Sequence, residues 1–404
     1  MKILMLGWEL PPYNSGGLGV VCHQLCKALS RRAGIDIEFV LPYTADHEVD
    51  FMRVTHAHPQ DIESVVRSGI AYDSYKYTYS DGSEEWVDIY GQQQMFEKAV
   101  AQRVPGMEFD IIHAHDWLTF RAGLRARQIS GKPLVVHVHS VESDRAGGHG
   151  GNPLVAEIEA MAFLMADRVI AVSQHTKNMI VRDYGIPADK IDVVHNSIEK
   201  LSGPTLSEEN LYTYLTALKA DGWRVVVNVG RLTVQKGLPN LLQAAKLVVD
   251  KSPKTMFLIV GSGEQHYELL STAAGLGIGA NVLFTGFQRG QAWRDAFAIG
   301  DLFVMPSVSE PFGLTPLEAI QYGTPSLISK QSGVSEVLQN CLKVDFWDIR
   351  EMASQITAAV DNPPLRQELA RNMYREYERL SWDTSVDKLC GIYDRHAAPV
   401  GAAV

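Results

Sequence analysis

Apolar and polar positions along this 404-residue chain alternate between two patterns. Longer segments have the spacing of amphipathic helices, and short runs between them are apolar throughout. Such runs are typical of strands buried on both faces of a parallel sheet, and their alternation with helices predicts βαβ units. The predicted strands are 2–7, 36–41, 110–115, 134–138, 168–172 and 191–195 in the first half, and 224–230, 255–260, 282–285, 302–305 and 326–329 in the second.

Two sets of strands predict two α/β domains of similar size. Residues 196–207 contain glycine, proline, serine and threonine without an apolar period, which indicates a linker. We therefore predict one doubly wound, Rossmann-like domain over residues 1–203 and a second over 204–381. Ligands of open parallel sheets bind beyond the carboxyl ends of the strands, so we expect the site in the cleft between the two facing domains.

Composition excludes several classes of protein. Apolar residues make up 46% and charged residues 21%, which is typical of a globular chain. The net charge of −10 argues against a nucleic-acid partner, which would need a basic face. Four scattered cysteines are too few for a disulfide framework. The first apolar run is too short for a signal peptide and no run is long enough to span a bilayer, so we expect a cytoplasmic protein.

Candidate binding groups follow the strands of the first half. Gly16 and Gly17 lie in a strand-to-helix turn, where backbone amides can approach an anion, although a plain tight turn is the alternative. Residues 113–117 read His-Ala-His-Asp-Trp and residues 137–139 read His-Val-His. Strand alternation puts each histidine pair on one face, which is compatible with a metal centre. No carboxylate completes a metal triad, so we expect no metal and expect His139 to contact a ligand.

Two cations follow the strand at 224–230. Arg231 and Lys236 lie five residues apart in a loop that begins a helix. A bidentate guanidinium and an ammonium point charge suit a diphosphate, whereas two solvated surface cations are the alternative.

Two acids follow the strand at 302–305. Glu310 and Glu318 enclose the segment Pro-Phe-Gly-Leu-Thr-Pro-Leu. Thr315, Pro316 and Glu318 have the spacing of an N-cap, a first helical proline and an N3 acid, so a helix is predicted to start there. Glu318 then caps the helix or binds the hydroxyls of a sugar, and the sequence leaves both roles open.

Together these motifs resemble the retaining glycosyltransferases of the GT-B fold, especially family 4 (glycosyl transferase group 1), and the related glycogen and starch synthases. The resemblance covers residues 1–361. It is carried by the two acids of 310–318, by Gly-Arg-Leu-x-x-x-Lys-Gly at 230–237 and by Gly-Gly-Leu-Gly at 16–19. It implies an acceptor-side first domain, against which a C-terminal helix (382–404) packs, and a second domain that binds the nucleotide sugar.

The resemblance also implies a role for each candidate residue. Arg231 and Lys236 would bind the diphosphate, Glu310 the sugar hydroxyls and Glu318 the ribose, while His139 would lie beside the anomeric carbon. The catalytic candidates are His139, Glu310, Arg231 and Lys236. The donor-binding candidates are Gly16, Gly17, Arg231, Lys236, Glu310, Phe312, Gly313, Leu314, Thr315 and Glu318. The resemblance makes Asp116 an acceptor-binding candidate. His149 is a second one, because it lies in the glycine-rich loop 143–152, which follows the strand of His139 and which we expect to shape the acceptor side.

The implied reaction moves a hexose from a nucleotide diphosphate sugar, of the UDP- or ADP-glucose type, to a hydroxyl of a sugar or glycan. It retains the anomeric configuration and needs no metal or other cofactor. Asn14 and Ser15 stand where bacterial glycogen synthases carry a lysine before the glycine pair, and those enzymes usually lack an acid at the place of Glu318. Both departures favour family 4, whereas His-Ala-His-Asp-Trp favours α-glucan elongation.

Other interpretations are less favoured. A nucleotide-sugar epimerase of the same fold and a two-domain binding protein without catalysis both fit the paired acids and the cation loop less well. Arg121 and Arg125 share one face of a helix and would suit peripheral membrane contact, which the net acidic charge disfavours.

Overall fold

The computed structural model describes residues 1–14, 16–59, 62–68, 74–148, 150–201, 205–207 and 210–397. The chain divides into two compact units. The first combines Met1–Glu142, Gly151–Ser197 and the chain from Ser381 onward, and the second combines Ser143–Gly150 with Ile198–Leu380. The boundary after Ser197 lies earlier than the residue 203 that we predicted, and Ser143–Gly150, which we placed in the first domain, groups with the second unit.

A parallel sheet forms the centre of the first unit. In chain order, the helices and strands up to the linker are β1 (Lys2–Leu6), α1 (Gly17–Leu29), β2 (Asp36–Leu41), β3 (Arg53–His56), β4 (Ile62–Ser68), β5 (Ser74–Tyr79), β6 (Glu84–Val87), α2 (Ile89–Arg103), β7 (Ile111–His115), α3 (Trp117–Ser130), β8 (Leu134–Val138), α4 (Glu142–Arg145), α5 (Pro153–Met165), β9 (Arg168–Ala171), α6 (Gln174–Tyr184) and β10 (Ile191–Val193). Seven of the described strands pair in the order β10-β9-β8-β7-β1-β2-β3, all parallel. Every residue of β7 and β8 is buried, as expected in the middle of such a sheet.

The second unit repeats this architecture. Its helices and strands are α7 (Thr213–Ala220), β11 (Arg224–Val229), α8 (Leu238–Lys251), β12 (Thr255–Val260), α9 (His266–Gly275), β13 (Val282–Gly286), α10 (Gly290–Ala298), β14 (Leu302–Met305), α11 (Thr315–Gln321), β15 (Ser326–Ser329), β16 (Leu342–Val344), α12 (Ile349–Asp361) and α13 (Pro363–Arg379). Six of the described strands pair in parallel in the order β13-β12-β11-β14-β15-β16. All residues of β12 and β14 are buried.

A last helix, α14 (Trp382–His396), belongs to the first unit. The Ser381 side chain caps it by accepting a hydrogen bond from the Asp383 amide at 3.0 Å. Its apolar face, with Leu389 and Tyr393, is part of the buried core around the first sheet. Asp387 forms an ion pair with Arg32 at 2.7 Å, next to α1.

The predicted central strands agree with the structure to within two residues at either end. The sequence analysis missed β3 and β16, which lie at sheet edges and have mixed exposure, and it also missed the antiparallel sheet β4-β5-β6. In β5 the buried residues Tyr75 and Tyr77 alternate with polar ones. A strand exposed on one face does not produce the continuous apolar run on which the prediction relied.

Candidate functional site

Two loops of the second unit join at the carboxyl ends of β11 and β14. The Val308 amide donates a hydrogen bond to the Gln235 carbonyl at 2.9 Å. Gly237 has a φ of +64°, and a Cβ there would lie 2.1 Å from the carbonyl oxygen of Pro306. Glycine is therefore required at this contact, both for its backbone conformation and for space. The close approach brings Lys236, the preceding residue, beside the loop that follows β14.

Lys236 and Glu310 form an ion pair, although they lie 74 residues apart in the chain. Lys236 Nζ is 2.6 Å from Glu310 Oε2, and Ser307 Oγ donates a hydrogen bond to the same oxygen at 3.0 Å. Glu310 is only 8% exposed. Because the pair is partly removed from water, its charges act more strongly on a ligand than surface charges would. The structure thus brings together one predicted diphosphate-binding residue and one predicted sugar-binding residue.

The segment after Glu310 leaves backbone donors available. Val334 N donates to the Phe312 carbonyl at 2.6 Å, which fixes the segment against the loop that follows β15. Gly313 has a φ of +93°, and a Cβ there would lie 3.0 Å from Glu310 Cγ. Within the part of the chain that the structure describes, the amides of Gly313 and Leu314 donate to no backbone carbonyl. A ligand oxygen beside the ion pair can accept from them.

The predicted capping arrangement at α11 is wrong. The helix begins at Thr315, its N-cap is Leu314, and no side chain caps it. Proline is tolerated throughout the first turn of a helix, where its missing amide hydrogen is not needed. Pro316 can therefore occupy the second helical position, with Thr315 at the first. The Glu318 carboxyl makes no hydrogen bond or ion pair with a described residue, and burial raises its pKa to about 8. Of the two roles that the sequence left open for Glu318, the geometry excludes capping.

Arg231 lies just after β11 and its side chain is exposed. The backbone beside it is fixed, since buried Leu232 donates a hydrogen bond from its amide to the Ser262 carbonyl at 2.9 Å. The guanidinium itself makes no hydrogen bond or ion pair with a described residue. The backbone at Arg231 is therefore held in place, and its side chain is available to a ligand. The guanidinium is not hydrogen-bonded to the ion pair of Lys236 and Glu310.

In the first unit, Asp116 holds the end of β8. Its Oδ1 accepts hydrogen bonds from the amides of His139 at 2.6 Å and Ser140 at 3.3 Å. Asp116 has φ +58° and ψ 169°, a conformation that residues other than glycine rarely adopt. It is only 7% exposed. The carboxylate thus positions the backbone of His139, and the acceptor contact that we predicted for Asp116 stays a prediction.

Four imidazoles stack inside the first unit. His113 and His115 lie on β7, while His137 and His139 lie on β8 and directly after it. Ring centroids are 4.4 Å apart within each pair and 5.2–5.3 Å apart between the pairs, with interplanar angles of 17–31°. Burial lowers the pKa of His139 to about 3 and those of the other three well below the usual range. All four rings are therefore neutral near pH 7.

This stack fits a metal ion poorly. Two sets have ligand atoms within 4.8 Å of one another: Cys22, His115 and His139, and His113, His115 and His137. In the second set all three rings are stacked on one another, and because an imidazole lone pair lies in the plane of its ring, stacked rings cannot aim their lone pairs at one ion. His115 Nδ1 is already 2.9 Å from His139 Nε2. Burial raises the pKa of the Cys22 thiol well above its usual range, which keeps it protonated.

The glycine-rich turn after β1 has one packed and one open position. Gly16 is the N-cap of α1, and Gly17 is its first residue. A Cβ at Gly16 would meet no atom within 4 Å, whereas one at Gly19 would lie 2.8 Å from Asn14 Cβ. The Gly19 amide donates to the buried Glu9 carboxylate at 3.3 Å. Packing thus explains Gly19 and leaves Gly16 and Gly17 as candidates for ligand contact.

The remaining predicted residue, His149, lies outside the described residues. Sequence reasoning found the chemistry-bearing side chains and missed the residues that fix them, such as Ser307 beside Glu310 and Met5 beside His115. Met5 lies 110 residues from His115, and no local pattern signals such a contact. Within the described part of the chain, no helix has both the length and the hydropathy that a membrane crossing requires.

Two family models match successive parts of the chain. "Glycosyltransferase Family 4" matches residues 15–200 and "Glycosyl transferases group 1" matches residues 217–376. The first match contains the glycine-rich turn and the histidine stack. The second contains the ion pair of Lys236 and Glu310.

Similar proteins cover almost the whole chain. An uncharacterized glycosyltransferase of Methanocaldococcus jannaschii is 29% identical, with 97% of this chain and 98% of that protein aligned. A glycogen synthase of Mycobacterium tuberculosis is 26% identical, with 97% and 94% aligned. The solved structure of Anabaena HepE in complex with UDP and glucose has a TM-score of 0.71 at 20% identity, with 98% and 100% covered. This likeness confirms the predicted GT-B fold of two Rossmann-like domains. The chain belongs to the family 4, group 1 glycosyltransferases, and the protein is a transferase enzyme.

Proposed function

We propose that this glycosyltransferase moves a hexose, with retention of configuration and without a metal ion, from a nucleotide diphosphate sugar to a hydroxyl of a sugar or glycan. The donor is of the UDP- or ADP-glucose type. The observation that carries the proposal is the ion pair of Lys236 and Glu310, which places a cation and a carboxylate side by side at the ends of β11 and β14. HepE, a structural neighbour, was solved with UDP and glucose, which supports a donor of this class.

The ion pair suits a donor because each partner keeps unused hydrogen-bonding capacity. An ammonium group has three donors, so Lys236 can retain Glu310 and still donate to a phosphate oxygen. Glu310 Oε1 can accept from a sugar hydroxyl while Oε2 stays bound to Lys236 and Ser307. The amides of Gly313 and Leu314 supply further donors beside the pair.

The reaction follows from where charge develops. As the bond between the anomeric carbon and the phosphate oxygen breaks, negative charge grows on the departing diphosphate. Lys236 and Arg231 stabilise that charge more in the transition state than in the bound donor. The acceptor hydroxyl attacks on the face that the diphosphate leaves and passes its proton to a phosphate oxygen. The carboxylates bind hydroxyls in this scheme, and no protein nucleophile is needed.

The donor assay measures release of nucleoside diphosphate from uridine, adenosine and guanosine diphosphate sugars, with and without sugar and glucan acceptors. We expect Arg231→Ala and Lys236→Ala to lower kcat/KM by about tenfold or more while the fold survives. Arg350→Ala removes an exposed cation elsewhere in the second unit, and Lys246→Ala removes a half-buried one that pairs with Asp250; both variants should keep wild-type activity. Near-normal activity of Lys236→Ala would place the diphosphate elsewhere.

Two further measurements test the chemistry. A chelator should leave the rate unchanged, and a loss that divalent metal restores would contradict the metal-free scheme. The coupling constant of the anomeric proton in the first-formed product reports its configuration, and inversion would exclude the same-face mechanism.

A second candidate is elongation of an α-glucan. The glycogen synthase relative and the His-Ala-His-Asp-Trp sequence at residues 113–117 favour it. Transfer to glycogen but not to mono- or disaccharides would support elongation, whereas the reverse preference would support a small acceptor. Conversion of the donor sugar without any acceptor would instead indicate an epimerase.

A further inference from the structure

The side chain of His139 is the last member of a hydrogen-bonded row. His139 Nε2 is 2.9 Å from His115 Nδ1, and His115 Nε2 is 3.0 Å from the thioether sulfur of Met5. Met5 lies on β1, His115 on the neighbouring strand β7, and His139 directly after β8. Met5 and His115 are both 0% exposed, so no water replaces either contact.

Counting protons along this row leaves one consistent arrangement. A neutral imidazole carries one N–H, and a thioether carries none and only accepts. If the proton of His115 were on Nδ1, a nitrogen lone pair would face the sulfur lone pairs at 3.0 Å with no hydrogen between them. The His115 proton therefore lies on Nε2 and is donated to Met5. Its Nδ1 then accepts, so His139 must donate from Nε2.

We propose that Met5, acting through His115, fixes the tautomer of His139, so that His139 carries its proton on Nε2 and offers Nδ1 as a hydrogen-bond acceptor. Met5 and His115 are positioning residues in this scheme. His139 Nδ1 makes no hydrogen bond with a described residue. The identity of the ligand rests on the proposed function: it is a hydroxyl of the transferred sugar. A sugar hydroxyl can donate a hydrogen bond to the acceptor nitrogen Nδ1, whereas a C–H group of the sugar ring cannot.

The other two histidines form a separate row and provide a contrast. His113 Nε2 lies 3.2 Å from His137 Nδ1, and His113 Nδ1 is hydrogen-bonded to the Tyr393 hydroxyl. This row touches His139 only through ring stacking against His137. A hydroxyl can donate or accept, so Tyr393 imposes no tautomer on its row. Only the row that ends in a thioether has its proton positions determined by an atom that cannot donate.

The backbone of His139 is held from the same strand end. Asp116, next to His115, accepts a hydrogen bond from the His139 amide at 2.6 Å. The end of β7 therefore fixes both the position of His139, through Asp116, and the proton of its ring, through His115. A donor sugar would then meet a preorganised acceptor whose lone pair needs no rearrangement.

The test uses the full-length protein with 15N-labelled histidine and reads the protonated nitrogen of each ring from its 15N chemical shifts. Resonances of His139 and His115 are assigned with His139→Gln and His115→Gln. We expect His139 and His115 of the wild type to be protonated on Nε2. Met5→Leu removes the acceptor at nearly constant volume, and we expect it to shift His139 at least partly to the Nδ1-protonated form. Met256→Leu, a buried methionine of β12, is the matched control and should leave His139 unchanged.

Kinetics separate positioning from plain packing. Met5→Leu should lower kcat by about tenfold, the effect of roughly one hydrogen bond, with little change in the KM for the donor. A wild-type His139 protonated on Nδ1, or an unchanged tautomer in Met5→Leu, would overturn the inference. The wild-type spectrum tests the proposed tautomer of His139 even if a variant fails to fold. It also does so if the protein does not transfer hexose, so that failure of the proposed function is distinguished from failure of this inference.

Discussion

The ionised form of Glu318 should lower the stability of the free enzyme, because the carboxyl is partly buried and has no hydrogen-bond or ion-pair partner among the described residues. Its pKa is raised to about 8 by desolvation, from an ordinary value of 4.5. The folded protein thus binds this proton more tightly than the unfolded chain does. Its contribution to stability is fully present below pH 4.5 and is lost progressively as the pH rises through 8. Glu318→Gln, which stays neutral, removes this loss.

The size of the effect follows from linkage. Each pH unit between the two pKa values lowers the free energy of unfolding by at most about 1.4 kcal/mol, which sets a ceiling of about 5 kcal/mol over the whole range. Because the side chain of Glu318 is only partly buried, solvent screening reduces this figure. We expect the stability difference between Glu318→Gln and wild type to grow by about 1–2 kcal/mol between pH 6 and pH 9. For a unit of this size that corresponds to roughly 2–8 °C in Tm.

Calorimetry of both proteins at pH 6, 7.5 and 9 measures this difference. Glu264→Gln makes the same charge change at an exposed position of the second unit and is the matched control, with no growing difference expected. A Tm difference that is constant with pH, or a Glu318→Gln variant that is less stable than wild type at pH 9, would refute the reasoning.

The same carboxyl links stability to the proposed function. If the ribose hydroxyls of the donor bind the ionised carboxylate, binding must release the proton. The affinity for UDP should then rise by up to about tenfold per pH unit from pH 6 to pH 8 and level off above. Glu318→Gln should bind more weakly and without this dependence. If Glu318→Gln changes the stability as expected but the affinity of the wild type for UDP does not depend on pH, the desolvation argument holds and Glu318 does not bind the donor.

Further predictions concern the residues that fix the site. Gly237→Ala forces a Cβ against the Pro306 carbonyl at a positive φ and should lower the free energy of unfolding by about 2 kcal/mol or more, measured by urea denaturation. Gly275→Ala, at an open position of α9, should be neutral or slightly stabilising. Asp116→Ala loses the acceptor for the His139 and Ser140 amides and should destabilise by about 1–3 kcal/mol, whereas Asp116→Asn keeps the acceptor and should lose less than half as much. Equal losses in the two Asp116 variants would show that the carboxylate charge, and not its hydrogen bonds, holds the end of β8.

The sequence by itself determined the class of fold and most of the chemistry-bearing residues. Strands such as β8 and β12 are buried on both faces, so their apolar runs are visible without a structure. Arg231, Lys236 and Glu310 follow predicted strands, and parallel strands end at the same edge of a sheet, which predicts that such residues gather there. The glycine-rich turn was found for the same reason. These features depend on neighbours in sequence or on the general geometry of βαβ units.

Only the tertiary structure decided how those residues are held. Thr315, Pro316 and Glu318 have the spacing of a capping box, yet the helix begins one residue earlier than that spacing implies, and Glu318 is left without a partner among the described residues. The ion pair of Lys236 and Glu310 depends on Gly237 packing against a carbonyl of a distant loop. The proton of His139 depends on the order β1-β7-β8, which brings Met5 and His115 into one row. Such contacts join residues far apart in the chain, and their distances are set by strand order and close packing, which no local pattern encodes.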